Sequence, residues 1–301
     1  TDNRGTIMMR TLVFLSLMAS AACFAPSPLS IKSNQAPRSV RAGVCPTSTG
    51  LTMQLKSRRS VLGSAALVAG SLVLGQTGFA APATAALDPR PPSPDDLTIY
   101  VGAGCFWHVQ HEMIVAESKI LKRDSKTFTS VAGYAGGTKV GKNNDVCYHN
   151  RMSFSDYGSM GHTEVVAVKV PNDRLLYFME AFLGLFDANG IRNDPQDAGG
   201  EYRTALGLPG GMKNDAVSVL REFATQKGMR VLAGKGDEGD TLEDKTIYVY
   251  DTAQFPFHAG ELYHQYHDDM GVDYGEEYHA MRDVALQRGT LTVSNCPGDR
   301  S

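Results

Sequence analysis

The chain has 301 residues, of which 42% are hydrophobic, and a formal net charge of −3. This is enough apolar material for a sizeable core, and the length allows one or two domains. Residues 1–85 hold eight basic residues and one acidic residue, a net charge of +7, so residues 86–301 carry −10. An acidic main segment without a basic cluster argues against nucleic acid as a partner.

The first 85 residues are typical of targeting segments. Residues 8–23 combine a basic start with a short apolar run, as in a signal peptide, and residues 27–56 have the basic, acid-free composition of a transit peptide. Arg58 and Arg59 then open a twin-arginine signal that ends at the small residues 83–85. This order of signals resembles that of proteins imported in several steps into the thylakoid lumen of complex, diatom-type plastids. We therefore expect this localisation. The alternative is that residues 61–81 remain as a membrane anchor; cleavage would leave no membrane contact.

Residues 86–301 are predicted to form one domain that ends in a C-terminal tail. β-Branched and apolar runs predict strands at 97–101, 128–132, 163–170, 202–208, 230–233 and 246–250. Apolar residues at helical spacing, with helix-start signals, predict helices at 105–119, 174–186, 213–226 and 261–270. Long loops at 138–160 and 188–201 separate some of these elements. The order indicates an α+β fold, a two-layer α/β sandwich.

Cys105 is the first candidate for chemistry. It follows the first strand and stands at the start of the first helix, where unpaired N–H groups and the helix dipole favour a thiolate. Phe106 and Trp107 follow it and suit a small, soft, apolar substrate group. This motif alone leaves open a buried, unreactive cysteine.

Five motifs together resemble the A-type peptide methionine sulfoxide reductases, which reduce the S epimer of methionine sulfoxide. The resemblance extends over about residues 97–268. The motifs are Gly-Cys-Phe-Trp at 104–107, Gly-Tyr-Ala-Gly-Gly at 133–137, Gly-His-Thr-Glu at 161–164, Asp197-x-Gly199-x-x-Tyr202-Arg203 and Glu261-x-Tyr263-His264-Gln265.

The resemblance implies a ferredoxin-like core and a role for each site residue. Cys105 would attack the sulfoxide sulfur, and Glu164 would protonate its oxygen, for which partial burial should raise the pKa of Glu164. Three further residues would serve the oxygen: Tyr134 and Tyr202 as hydrogen-bond donors, and Asp197 by holding a water or a tyrosine hydroxyl. Phe106 and Trp107 would enclose the substrate methyl group.

The reaction needs no bound cofactor but does need an external reductant. Attack on the sulfoxide leaves Cys105 as a sulfenic acid, which a second thiol converts to a disulfide for reduction by thioredoxin or another dithiol. Cys296, in the tail 290–301, is the candidate resolving cysteine, because related enzymes often place it in such a tail. Cys147 matches a position that is usually a bystander. The expected partners are therefore oxidised proteins or free methionine sulfoxide, together with a thioredoxin-like protein.

Several positions depart from the family pattern. His108 stands where glycine usually follows the tryptophan, and Phe186 stands where histidine is common. Gly200 and Glu201 replace a Thr-Gln pair, and the loop between Cys147 and Gly161 is longer than usual. These departures bear on rate and substrate preference.

Two other functions stay open at this stage. One alternative to the reductase is a weak relative that binds oxidised methionine without turnover. The other is a Cys-His hydrolase that uses Cys105 with His108, His111 or His162. The stretch 258–279 contains His264 and His267 three residues apart. We interpret it as a solvated face with one or two structural histidines and expect no metal site.

Overall fold

The computed structural model describes residues 88–193 and 196–299, which belong to one compact unit. The targeting segments predicted within residues 1–85 lie outside the described residues. Among the described helices, none has both the length and the apolar character that a membrane crossing needs.

The described residues form seven strands and four α-helices. The strands are β1 (Leu97–Gly102), β2 (Val131–Ala135), β3 (Thr163–Val170), β4 (Ala205–Leu208), β5 (Arg230–Ala233), β6 (Thr246–Asp251) and β7 (His258–Ala259). The helices are α1 (Phe106–Leu121), α2 (Leu175–Leu183), α3 (Ala216–Gln226) and α4 (Glu276–Gln287).

The strands form one sheet in the order β5-β6-β4-β1-β3-β2-β7. Its centre, β4-β1-β3-β2, is antiparallel throughout, with α1 following β1 and α2 following β3. This is the βαββαβ arrangement of a ferredoxin-like core. The predicted α+β fold class is confirmed; the parallel strands β5 and β6 and the short edge strand β7 extend the core.

The sheet buries both of its faces. In the β1–β3 pair, Val101 lies opposite Val166 and both join the larger cluster formed with α1, α2 and α3. The neighbouring pair Tyr100 and Ala167 joins a smaller cluster with Tyr250 on the opposite face. The alternation has the period of two that a strand requires. Continuous apolar runs such as β3 are therefore central strands covered on both sides.

The predictions differ from the structure at several elements. The fourth strand begins at Ala205 rather than at residue 202, and the edge strand β7 was not predicted. The second strand begins at Val131 rather than at residue 128. The helix predicted at 261–270 is wrong, because only a 3-10 turn at Leu262–His264 forms and Tyr266 has φ +53°. The side chain of Gln265 there bonds to the backbone of Ala132 and Gly260, and these tertiary contacts outweigh helix propensity. Helix α4 was missed despite its acidic first turn.

A buried ion pair fastens the chain that leaves α1. The carboxylate of Glu117 accepts hydrogen bonds from the backbone N–H and hydroxyl groups of Thr129 and Ser130 and from Arg123 at 2.8 Å. Arg123 also donates to Asp96 and to the backbone oxygen of Lys169. Every oxygen and most donors are satisfied, as burial of both charges requires.

We expect Arg123→Met to lower the free energy of unfolding by ~3–5 kcal/mol, because it leaves the Glu117 carboxylate charged and buried without its partner. Urea denaturation measures the change. The matched control is Arg230→Met, which removes an exposed ion pair with Asp244 and should cost under about 1 kcal/mol. Equal losses in the two variants would contradict the structural role of the buried pair.

Candidate active site

Cys105 lies at the junction of β1 and α1. Gly104, with φ +87°, turns the chain out of the strand, and Cys105 occupies the N-cap of α1. The cysteine is only 7% exposed, and the backbone N–H of Trp107 in the first turn of α1 acts to lower its pKa. The predicted thiolate is wrong for the resting protein: burial raises the pKa of the Cys105 thiol far above its usual value, the nearby Glu164 raises it further, and the Trp107 N–H only partly opposes this.

Glu164 lies on β3 and reaches the first turn of α1. Its Oε2 accepts a hydrogen bond from the backbone N–H of Phe106 at 2.9 Å, and its Oε1 lies 3.4 Å from the hydroxyl of Tyr157. Glu164 is 2% exposed. Burial raises its pKa to about 8, which outweighs the lowering by the Phe106 hydrogen bond. The predicted upward shift is therefore present.

These two shifts make the resting pair neutral. At pH 7 the carboxyl of Glu164 keeps its proton, and so does the thiol of Cys105. A protonated Glu164 no longer repels negative charge on the sulfur, so thiolate formation at Cys105 becomes easier while the carboxyl stays neutral. The site thus holds a thiol and a carboxyl group whose ionisations influence each other.

Aromatic rings cover one side of the pair. Trp107 stacks on His267 with ring centroids 4.2 Å apart, and Phe106 lies 5.1 Å from His264. Tyr148 packs on the other side of His264 at 4.4 Å. Among the described residues, Nε1 of Trp107 is buried and has no hydrogen-bond partner. Nδ1 of His264 is likewise buried without a hydrogen-bond partner, so this aromatic wall holds two polar atoms that are free to bind a ligand.

Tyr134 stands opposite Glu164 in the β2–β3 register. It is fully buried, and its hydroxyl donates a hydrogen bond to Oε2 of Glu261 at 2.8 Å. The other oxygen of Glu261 accepts from the backbone N–H of Tyr148. To donate to a substrate oxygen, as the sequence predicts, Tyr134 has to exchange this partner.

Asp197 and Tyr202 come from the loop before β4. The charge of Asp197 raises the pKa of Cys105, Glu164 and Tyr202, which places it near all three. Tyr202 is half-buried, and its pKa is raised by burial and by the charge of Glu164. The structure therefore brings together all seven of the predicted catalytic and substrate-binding residues.

Four functional candidates were missed or given no role by the sequence reasoning. Tyr148 and Tyr157 lie in the long polar loop, where no periodic pattern distinguishes one tyrosine from another. Glu201 was noted only as a departure from the family pattern. Glu261 stands in the fifth motif, which was the one available signal for it.

The cysteines pair differently from the expectation. Cys147 and Cys296 form a disulfide with Cα atoms 5.6 Å apart, and Cys105 is the free cysteine among the described residues. Cys147 is therefore not a bystander, and Cys296 is only 2% exposed rather than displayed on a loose tail. The tail also contacts the loop through Asn295, which donates a hydrogen bond to Asp145 at 3.3 Å, and Asp299 binds the tail to the backbone of Leu262.

The histidines have partners other than Cys105. His108 approaches Asp269 at 3.8 Å, His111 stacks on Tyr274, and His162 lies 2.7 Å from the backbone oxygen of Lys139. Within residues 88–193 and 196–299, no imidazole is hydrogen-bonded to the Cys105 sulfur, so the geometry does not support a Cys-His hydrolase. In the stretch 258–279, His264 is buried, at 4% exposure, and fits the structural histidine that was predicted there, whereas His267 and His279 are partly exposed.

Two carboxylate groupings have some of the chemistry of a metal site. Glu261 lies beside Cys147 and Cys296, whose sulfurs are consumed by the disulfide. Asp268, Asp273 and His279 meet at the surface, where acidic groups commonly cluster without an ion. Of these residues, only Glu261 contacts the Cys105 site, through the hydroxyl of Tyr134.

No protein-family model matches the sequence, and no curated protein matches it. Solved structures with a similar arrangement include methionine sulfoxide reductase A of Corynebacterium diphtheriae, at 20% identity and a TM-score of 0.39, covering 59% of this chain and 80% of that one. Mxr1 from Saccharomyces cerevisiae in its reduced form is 21% identical, with a TM-score of 0.36, covering 57% of this chain and 84% of that one.

Iodoacetamide should label Cys105 at least about ten-fold more slowly in the native protein than in urea, because the buried thiol stays protonated. Cys147 and Cys296 should be labelled only after a reductant is added. Mass spectrometry of the peptides measures both. Rapid native labelling of Cys105 would show that its sulfur is exposed or ionised.

Glu164→Gln should flatten the pH dependence of stability. The folded pKa of Glu164 is raised above its unfolded value, so its contribution is fully present below about pH 4.5 and is lost as pH rises through about 8. Glutamine keeps an acceptor for the Phe106 N–H and does not ionise. The variant should therefore lose less Tm than the wild type between pH 5 and 9, whereas Glu222→Gln on the exposed face of α3 should follow the wild type.

Proposed function

We propose that this protein reduces methionine S-sulfoxide, free or within proteins, to methionine. The observation that carries the proposal is a buried carboxyl, neutral at pH 7, beside a buried thiol against an aromatic wall. Sulfoxide reduction needs this combination, because the oxygen leaves sulfur only when it gains a proton while a thiolate attacks. The motifs around Cys105 and Glu164 support the same reaction.

In the first step, the Cys105 thiol loses its proton while Glu164 keeps its own. The thiolate attacks the sulfoxide sulfur, and Glu164 gives its proton to the sulfoxide oxygen. This attack forms a bond between the two sulfurs, and the thiol proton goes to solvent. The hydroxyl then moves from the substrate sulfur to the Cys105 sulfur as the S–O bond and the sulfur–sulfur bond break, and a proton from solvent restores Glu164. The balance is one thiol and one sulfoxide converted to one sulfenic acid and one thioether.

The neighbouring residues act on the bound group. Phe106 and Trp107 enclose the methyl group, and the unused Nε1–H of Trp107 is available to a substrate acceptor. Tyr202 and Tyr134 donate to the oxygen as negative charge develops there, the latter after leaving Glu261. Asp197 orients a water or a tyrosine hydroxyl.

Recycling requires two electrons from outside the site. A thiol condenses with the Cys105 sulfenic acid, forming a disulfide and releasing water, and a thioredoxin-type dithiol then reduces that disulfide. Cys296 remains the candidate for the thiol. Because Cys296 is bonded to Cys147 in this structure, that bond has to be reduced before Cys296 takes part.

The proposed place of action is the thylakoid lumen of a complex plastid, on the strength of the three signals in residues 1–85. There the enzyme would repair proteins exposed to photosynthetic oxidants. A fluorescent reporter fused behind residues 1–95 tests this, and a cytosolic signal would contradict it.

A single-turnover assay tests the reaction. The reduced full chain is mixed with each epimer of methionine sulfoxide, methionine is quantified, and the oxidation state of each cysteine is mapped. We expect methionine from the S epimer alone, with oxidation beginning at Cys105. Binding of the sulfoxide without methionine would instead identify the weak, non-reducing relative.

The first-turnover rate should rise with pH and level off near pH 8. In the active form, Cys105 has lost its proton and Glu164 has kept its own. This form is one of the two states in which the pair has lost a single proton. The fraction of protein in these states rises with pH and levels off as the pair titrates at about pH 8. Glu164→Gln should lower the rate by ~10²–10⁴-fold and abolish the levelling, leaving a continued rise with thiolate formation. An unchanged profile in that variant would exclude Glu164 as the acid.

A further inference from the structure

Glu164 is buried, yet the proposed reaction removes its proton in every turnover. The carboxyl lies behind the first turn of α1 and is 2% exposed. A proton has to return to it from solvent before the next cycle. Cys105, Tyr134, Tyr148, Asp197 and Tyr202 surround Glu164 on the side where the substrate would bind. One further contact of Glu164 points away from that side.

That contact is the hydroxyl of Tyr157. It lies 3.4 Å from Oε1 of Glu164 and 3.5 Å from Oε2 of Glu201, so one hydroxyl bridges two carboxyl groups. Both distances are at the long limit of a hydrogen bond, and such contacts tighten when a substrate closes the site. Tyr157 itself is fully buried, with its ring stacked on Tyr134 at 4.7 Å.

Glu201 carries the path to the surface. Its Oε2 lies 3.0 Å from Nε2 of His149, whose side chain is 45% exposed. Exposure therefore rises step by step, from the buried Glu164 and Tyr157 to the partly exposed Glu201 and then to His149. We propose that His149, Glu201 and Tyr157 form a proton relay between solvent and Glu164.

The local structure holds each member of this relay in place. Asp156 lies 2.6 Å from Nδ1 of His149, which directs the other nitrogen to Glu201. Thr163, the residue before Glu164, donates to the backbone oxygen of Glu201 at 2.8 Å. Gly158 is needed as well, because a Cβ there would overlap the Glu201 carboxylate.

The charges around His149 favour its protonated form. Asp156 and Glu201 are the charged groups against it, and the rings of Tyr148 and Tyr157 cover it at 5.1 and 4.9 Å. Desolvation lowers the pKa of His149, but the hydrogen bonds and charges of the two carboxylates outweigh it, so the net shift is upward. His149 thus takes up a proton from water more readily than an ordinary histidine.

The relay moves one proton to Glu164, and Glu201 and Tyr157 each end the transfer with the charge they had at the start. His149 gives a proton to Glu201, Glu201 passes one to the Tyr157 oxygen, and Tyr157 gives its own hydroxyl proton to Glu164. Burial raises the pKa of Tyr157 strongly, so its two transfers occur together rather than through a resting phenolate. Water then reprotonates His149.

Sequence supports the same grouping. His149, Tyr157 and Gly158 belong to the loop that is longer than in related sequences, and Glu201 replaces the usual glutamine. Two departures from the family pattern that looked unrelated in the sequence are in direct contact in the fold. If the contact between His149 and Glu201 served only to hold the two loops together, it would not account for the contact between the Tyr157 hydroxyl and Glu164.

The inference rests on the proposed function for its purpose, but its test does not need turnover. Stopped-flow infrared spectroscopy follows the carboxyl band of Glu164, identified by its loss in Glu164→Gln, after a jump of the full chain from pH 9.5 to 6.5. Tyr157→Phe keeps the ring stack and removes the hydroxyl. Glu201→Gln keeps an acceptor for His149 and removes the transferable proton. Both variants should take up the Glu164 proton at least about ten-fold more slowly than the wild type.

The matched control is His279→Gln, because His279 is a half-exposed histidine paired with Asp268 at 2.8 Å and has no contact with the relay. It should take up the proton at the wild-type rate. Equal uptake rates in all four proteins would overturn the relay. If the wild type forms no methionine, the proposed function fails, and the infrared comparison still decides the relay.

Discussion

The hydrogen bond from the Phe106 N–H to Glu164 joins the two halves of the site. The first N–H groups of a helix have no partner within the helix, and Cys105 at the N-cap does not supply one through its side chain. A carboxyl group from the neighbouring strand supplies it instead. The carboxyl of Glu164 is thereby fixed beside the thiol of Cys105, and both positions follow from the pairing of β1 with β3.

This arrangement has an energetic cost. Burial of Glu164 raises its pKa and makes the folded state less stable at alkaline pH, as expected where function and stability compete. The same burial raises the pKa of Cys105, so the site rests with both protons in place. The structure contrasts with the Glu117–Arg123 pair, where full compensation keeps two buried groups charged. The burial of Glu117 is balanced by its ion pair with Arg123, whereas the burial of Glu164 has no such partner and raises its pKa.

Patterns that depend on nearby residues were predicted well from the sequence. β3 was correct at both ends because its β-branched run is local, and the rise in the pKa of Glu164 followed from its place on that strand. The state of Cys105 was wrong because a helix dipole is visible in a sequence, whereas the depth of burial is not. The helix predicted after Glu261 was wrong because Gln265 bonds to Ala132 in β2, 133 residues away.

Pairings across long distances were not predictable. Nothing in the sequence indicates that Cys147 meets Cys296, since their contact depends on how the tail folds over a loop. The contact between His149 and Glu201 likewise arises from two loops that the sheet brings together. Both contacts depend on the complete fold. In the sequence, the residues around His149 and Glu201 were visible only as departures from the family pattern.

The disulfide also divides the chain topologically. Cys147 and Cys296 are separated by 149 positions, so the bond closes a covalent ring that contains β3 to β7 and α2 to α4. β1, α1 and β2 lie outside the ring. A backbone break within the ring would therefore release no fragment until the bond is reduced. Cys105 lies outside the ring and Glu164 lies within it, so apart from the backbone through residues 106–146 only noncovalent contacts hold the two residues side by side.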